Sequence, residues 1–389
     1  MIRILHTSDW HLGHTLYNYD RSEEQMSMLM QIEKAICARQ PDVLLICGDI
    51  FHTAQASASV QTMFTEAVVR MHRACPKMTT IITAGNHDSG SRHEIFKAPW
   101  RALNVHVIGN IEKENPDGHI IEIPGKGTIV AVPYSHGRNI PEGYFQKLLD
   151  IAMERNGHGL PIIMTAHTTV RGCNASGHDN ANEYTVGGID YLELGEMGHG
   201  YDYLALGHIH NGQFVQGSQK RARYCGTPLA VNFDETFHHS ISLVEIESHG
   251  SMPQVEEIAI ENPRPLVTLP TEGTATLDEA MELLKNFPDE IPAYIRLNIA
   301  IEDYLPAEAF QEAVALTAGK QCRFCHINAK RKSRKETEAK ALTVQEFQEE
   351  APVDIAHRFA EDTGLTFDRE MEDMFREIVE LLEDERRNG

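Results

Sequence analysis

Five short apolar runs, each ending in residues able to bind a metal, constrain this chain more than any other feature. Residues 3–7 lead into Ser8-Asp9-Trp10-His11, residues 42–47 into Gly48-Asp49, and residues 79–83 into Gly85-Asn86-His87-Asp88. Residues 160–165 lead to His167, and residues 201–206 into Gly207-His208-Ile209-His210. Apolar runs of this length, bounded by Gly, Asp or Asn, read as buried strands. Between the first three, residues 22–39 place Met26, Leu29, Met30, Ile32 and Ile36 along one broad face. Residues 58–74 place Val60, Phe64, Val68 and Met71 at helical spacing. Strand–helix alternation predicts an α/β domain with parallel strands, whose functional groups gather at the carboxyl ends of the strands.

Any one of these strand ends is weak: a lone strand-end histidine is more often a satisfied polar residue than a ligand. Five in order are a strong signal. Asp9 and His11 stand two residues apart, on one side if the backbone stays extended. Asp49 follows a glycine that permits a sharp turn. Carboxylate, amide and imidazole donors without thiolate suit manganese, iron or zinc better than calcium or a structural cysteine–zinc site.

The order Asp9-x-His11, Gly48-Asp49, Gly85-Asn86-His87-Asp88, His167, Gly207-His208-x-His210 resembles the calcineurin-like metallophosphoesterase superfamily. Within it the sequence is most similar to the double-strand-break repair nucleases, in particular the SbcD nuclease-subunit family. The supporting stretches are residues 6–13, 48–51, 202–210 and Tyr224-Cys225-Gly226-Thr227-Pro228. The resemblance implies a four-layer α-β-β-α sandwich with two divalent metal ions, Mn2+ by preference. One ion takes Asp9, His11, Asp49 and His210, and the other Asp49, Asn86, His167 and His208, with Asp49 bridging. Two such cations, about 3.5–4 Å apart, clamp a phosphodiester for hydrolysis. His87 is then no ligand but the group that hydrogen-bonds the scissile phosphate or protonates the leaving oxygen, with Asp88 orienting its ring. His52 either helps to hold His87 or the phosphate, or is a surface-loop histidine. Where many superfamily phosphatases carry another Asp after Gly-Asp, this chain reads Ile50-Phe51-His52, and Ala56-Ser57 stands where relatives often have Pro-Ser.

The implied activities are 3′–5′ duplex exonuclease and single-strand or hairpin endonuclease, exerted by a homodimer on DNA beside an SbcC-type ATPase. A phosphatase or phosphodiesterase for small phosphoesters or phosphoproteins is the alternative. A non-catalytic binding module would normally lack some ligands, and none is missing.

Domain texture changes after Pro263 and Pro265. The reading is a metallophosphoesterase nuclease domain over 1–262, with shorter strands over 119–132 and 213–259 that complete a pair of sheets. A small separate α/β domain follows over 263–335, with helices at 276–286 and 306–317 and strands from 264, at 293–299 and at 322–328; the resemblance implies that it is a capping, DNA-binding domain. Residues 329–340 read as a linker within a boundary at 335. Residues 336–389 end in amphipathic helices over 343–389, with Met371, Met374, Phe375, Ile378 and Leu382 on one face. Those helices either pack on their own chain or, as the resemblance favours, grip the ATPase coiled coil.

Cys322-Arg323-Phe324-Cys325-His326 matches a c-type haem pattern but alternates like a strand, with Cys322, Phe324 and His326 on one face. Lys330-Arg331-Lys332-Ser333-Arg334-Lys335 is either a solvated linker or a phosphate contact. The other histidines, His6 and His14 among them, read as structural or surface residues.

Charge completes the reading. The chain has 389 residues and a formal net charge of −22, which argues against binding nucleic acid by bulk charge. Residues 336–389 hold 17 acids against 6 bases, half of that excess, so the acidity belongs to the tail and the outer surface. Seven cysteines, mostly scattered, no stretch near the roughly 18 apolar residues of a membrane span, and an N-terminus too short in apolar character for a signal peptide predict a cytoplasmic protein.

Overall fold

A computed structural model describes residues 1–136, 139–175, 191–302 and 304–331, and beyond them Val353, His357, Arg369, Met371, Glu372, Met374 and Phe375. In chain order the first half runs β1 (Ile2–Thr7), β2 (Thr15–Leu16), β3 (Tyr19–Asp20), α1 (Ser22–Arg39), β4 (Val43–Cys47), α2 (Ala58–Ala74), β5 (Thr79–Thr83), α3 (Gly90–Glu94), α4 (Lys97–Arg101) and β6 (Val105–Ile108). Next come β7 (Ile120–Ile123), β8 (Gly127–Ala131), α5 (Tyr144–Arg155), β9 (Ile162–His167), β10 (Tyr203–Gly207), β11 (Gln213–Phe214), β12 (Ala222–Tyr224), β13 (Ser240–Ile246) and β14 (Gln254–Ala259). The last stretch holds β15 (Leu266–Leu269), α6 (Leu277–Lys285), β16 (Tyr294–Ile301), α7 (Ala309–Thr317) and β17 (Arg323–Arg331).

Two six-stranded sheets form the larger part, in the orders β14-β13-β1-β4-β5-β6 and β11-β12-β10-β9-β8-β7. β1, β4, β5 and β6 are mutually parallel, as are β12, β10, β9 and β8. Side-chain alternation explains the layering. On β4, Leu44 and Ile46 pack toward α1 and α2, while Val43, Leu45 and Cys47 meet Ile163, Tyr203 and Ala205 of the second sheet. A strand buried on both faces must be apolar throughout, which is why β4 shows no polar alternation. The far face of the second sheet packs on α5, giving the four layers α-β-β-α.

The sheets approach closely where the strands end. A Cβ on Gly207 would lie 1.9 Å from the Cys47 carbonyl oxygen, so only glycine lets β10 cross β4 there. Thus the carboxyl ends of β1, β4, β5, β9 and β10 converge.

The third sheet, β15-β16-β17, is parallel and has its own core with α6 and α7, built around Leu297, Ile299, Phe324 and Ile327. Two expectations need correcting. Residues 329–331 continue β17 instead of starting a linker. A register shift opposite Ile295 and Arg296 skips Cys325, so Phe324 and Ile327 share the core while Cys325 joins Leu16, Phe233 and Tyr294. One extra residue in a strand turns every later side chain to the other face.

By contact the chain divides into two compact units, Met1–Arg331 and Lys332–Gly389. Most of the basic run (332–335) and, save the seven positions named, the helices expected over 343–389 lie outside the described residues. Among the described residues, no helix is long and apolar enough to cross a membrane.

Candidate metal centre

Ten sequence-predicted positions come together where the strand ends converge. Asp9, His11 and His210 present ligand atoms within 4.8 Å of one another, and so do Asp49, His167 and His208. Asp49 joins the two groups, its Oδ2 lying 3.4 Å from His167 Nε2 and 3.8 Å from His11 Nε2. Asn86 Oδ1 lies 3.0 Å from both His167 Nε2 and His208 Nδ1. A third cluster, His11, His52 and His87, adjoins the first.

Backbone conformation marks the same residues. Asp9, His11, Asp49 and His208 all have positive φ, at 53°, 44°, 51° and 97°. Side-chain-bearing residues adopt that region only when their surroundings impose it, and such strain concentrates at functional sites. Here the imposing contacts are the Gly48 carbonyl accepting from Asp9 N–H at 3.0 Å and the Asp49 carbonyl accepting from His11 N–H at 3.0 Å. Thr227 adds a hydroxyl bond to the Asp9 carbonyl, 2.7 Å, which gives the Gly226-Thr227 stretch a role in the site. Gly48, at φ +88°, leaves room for the His167 ring, whose Nδ1 would stand 2.2 Å from any Cβ added there.

Hydrogen bonds fix which imidazole nitrogen faces the centre. His167 Nδ1 donates to the Cys47 carbonyl, 2.8 Å, so Nε2 turns toward Asp49 and Asn86. His210 Nδ1 meets Glu235 Oε1 at 2.7 Å, so Nε2 turns inward to 3.2 Å from His11 Nε2. Two imidazole lone pairs at that separation repel each other unless a proton or a cation lies between them. Together with three carboxylate or imidazole donors in each group, all buried except the half-buried His208, this arrangement fits a pair of divalent cations.

The electrostatics point the same way. Burial pushes the Asp9 carboxyl up and drives His11 well below the ordinary imidazole range. Burial also opposes the charge on Asp49, yet His167 and His11 override it and hold the carboxyl well below its usual range. His167 and His210, pulled down by burial, are carried up to about 9 by Asp49 and Glu235 respectively. Without cations these two imidazoles take up protons, and binding a cation must release them.

His87 belongs to the third cluster and to neither of the first two, its ring 4.9 Å from that of His11. Its holder differs from the expected one. His87 Nδ1 bonds the His52 backbone carbonyl, 2.9 Å, and the two rings lie nearly parallel at 5.6 Å. Asp88 instead accepts from the backbone N–H groups of Ile50, Phe51 and Gly85, at 3.1, 3.0 and 2.9 Å. Its Oδ1 also lies 3.3 Å from His93 Nε2. Its carboxylate is spent clamping the two loops that carry Asp49 and Asn86, which leaves the ring of His87 to His52. His52, half-buried, thus lies beside His87 and His11. His14, its neighbour at 4.7 Å, is buried against Arg21. Glu235 escaped sequence reasoning because nothing local to it signals a role; it sits 25 residues from the histidine it holds.

The Calcineurin-like phosphoesterase family matches residues 2–212, more than half of the chain, and the chain belongs to that family. The chain is 29% identical to the SbcD subunit of the nuclease SbcCD from Rhodobacter capsulatus, covering 73% of this chain and 75% of that one. It is 27% identical to the protein of the same name from Bacillus subtilis, covering 99% of each chain, and 27% identical to that of Escherichia coli K12, covering 78% and 79%. Among solved structures, TT1561 of Thermus thermophilus aligns with a TM-score of 0.43 at 12% identity, covering 67% of this chain and 99% of that one.

Proposed function

We propose that this chain is a metal-dependent DNA nuclease, the catalytic subunit of an SbcCD-type repair complex, with 3′–5′ exonuclease action on duplex ends and endonuclease action on single strands and hairpins. What supports the reading most is one observation: two histidine–carboxylate groups lie side by side at a convergence of strand ends, with Asp49 of one also close to His11 of the other. The likeness to SbcD subunits of three SbcCD nucleases supplies the substrate class.

In this reading Asp9, His11, Asp49 and His210 hold one cation, and Asp49, Asn86, His167 and His208 the other, with Mn2+ the ion preferred. Bound there, the cations supply Lewis acidity and positive charge to the phosphoryl oxygens. The chain's own groups do the rest. Asp88 keeps the Asp49 and Asn86 loops in register. His87 donates Nδ1–H to the His52 carbonyl, so only its doubly protonated form has an Nε2–H to donate to the scissile phosphate or to pass to the leaving oxygen. His52 stacks beside it and helps to orient the phosphate.

Residues 1–262 form the nuclease domain, 263–335 a capping domain that contacts DNA, and 336–389 a linker with helices that dock on an SbcC-type ATPase. The subunit acts in the cytoplasm as a homodimer.

The test is cleavage of blunt duplex, hairpin and single-stranded DNA with and without Mn2+, with a small phosphodiester in competition and Asp49→Ala as control. Mn2+-dependent cleavage of DNA, lost in Asp49→Ala, is expected. Absence of metal-dependent cleavage of every DNA would overturn the proposal, and preference for the small ester would favour a phosphodiesterase.

A further inference from the structure

Behind His210 stands a carboxylate that belongs to neither donor group. Glu235 Oε1 meets His210 Nδ1 at 2.7 Å, and both residues are buried. Backbone and amide donors also reach that carboxylate. Val231 N–H donates to Oε2 at 3.1 Å, and the Asn232 amide donates to Oε1 at 3.4 Å. As a carboxylate, Glu235 can only accept from His210. The proton between them is therefore on Nδ1, and Nε2 keeps its lone pair for a cation. His167 is oriented by a neutral backbone carbonyl instead, and His208 faces the Asn86 amide. A carboxylate partner makes an imidazole a stronger donor than a neutral partner does, because its charge stabilises positive charge drawn onto the ring.

We infer that Glu235 is a positioning residue that locks the His210 tautomer and makes the Asp9–His11–His210 group the stronger of two unequal cation positions. This inference rests on the two-cation reading above. Glu235 reaches the cation only through His210 and touches no substrate.

The experiment titrates the full-length protein with Mn2+, following stepwise binding by calorimetry and by the spin-resonance signal of free Mn2+. Wild type, Glu235→Ala, Glu235→Gln, Asn86→Ala and the Glu235→Gln/Asn86→Ala double variant are compared. Glu235→Ala is expected to weaken one of two bound ions by about 10–100-fold and to leave the other within about twofold. Glu235→Gln keeps one accepting oxygen and is expected to fall between wild type and Ala. Asn86→Ala is expected to weaken the other ion, and the double variant both. Cleavage by the Glu235 variants is expected to recover as Mn2+ is raised, whereas a merely structural defect would not be rescued by metal.

Two ions bound with wild-type affinities in the Glu235 variants would overturn the inference alone, as would equal weakening of both positions. Should Glu235→Ala fail to fold, the near-isosteric Glu235→Gln decides. A wild-type chain that binds no Mn2+ would overturn the two-cation reading and this inference together.

Discussion

His87 is tied into the site twice, through its backbone N–H on Asp49 Oδ1 at 2.9 Å and its ring on the His52 carbonyl. Only the second tie involves the side chain. His87→Ala should therefore keep both Mn2+ ions while cleavage falls by about 10²–10⁴-fold, the usual worth of a positioned proton-transfer group. Metal stoichiometry measured beside the nuclease rate checks this, and loss of metal would place His87 among the ligands. A second residue-scale consequence concerns His6, buried against Tyr203 with its Nδ1 3.0 Å from the Tyr203 hydroxyl. Burial, helped by the charge of Arg223, lowers its pKa from the ordinary 6.5 to about 3. The unfolded chain thus takes up a proton that the folded chain refuses. Stability from this group is complete above pH 6.5 and declines as pH falls toward 3, by about 1.4 kcal/mol per pH unit within that window. His6→Gln should show a shallower loss of urea stability than wild type as the pH is lowered through that window, and equal slopes would refute the assignment. The candidate ligands at this scale were legible because they follow the ends of five apolar runs. Asp88 and His52 were legible as members but not in their roles, since a carboxylate next to a histidine in sequence need not face its ring.

The elements were legible to differing depth. Helices α1 and α2 fall where the apolar periodicity puts them, at Ser22–Arg39 and Ala58–Ala74, because each must cover one face of the first sheet. The third sheet follows its predicted order for the same reason. What the pattern did not reveal is how that sheet is fastened. Tyr294 of β16 is fully buried, with the guanidinium groups of Arg21, Arg264 and Arg323 each 5.7–5.8 Å from its ring centre. Its hydroxyl donates to Glu24 of α1 at 2.7 Å. Tyr294→Phe would leave the Glu24 carboxylate short of a donor in a buried setting, at a cost of about 1–3 kcal/mol. Chemical denaturation of the two proteins measures it, and a change below about 0.5 kcal/mol would show that the hydroxyl is not the fastening. The β17 bulge was hidden for another reason: which strand residue is skipped depends on the partner strand, not on the run itself.

At the scale of the whole molecule, the charge is spread unevenly. Half of the −22 lies in residues 336–389, while the metal centre concentrates its carboxylates where cations would overcompensate them. Deleting 343–389 should abolish association with an SbcC-type ATPase and leave Mn2+-dependent cleavage largely intact, measured by co-purification and by nuclease assay. Cleavage lost along with binding would make the tail part of the nuclease fold. By itself the sequence determined the α/β class and the strands that end in candidate ligands, because burial on both faces forces continuous apolar runs and metal chemistry dictates donor types. Only the tertiary structure decided which nitrogen of each histidine faces inward, that Asp88 clamps loops, that His52 holds His87, and that Glu235 stands behind His210. Those are contacts between segments 25 to 199 residues apart, made by hydrogen-bond geometry that no local pattern encodes.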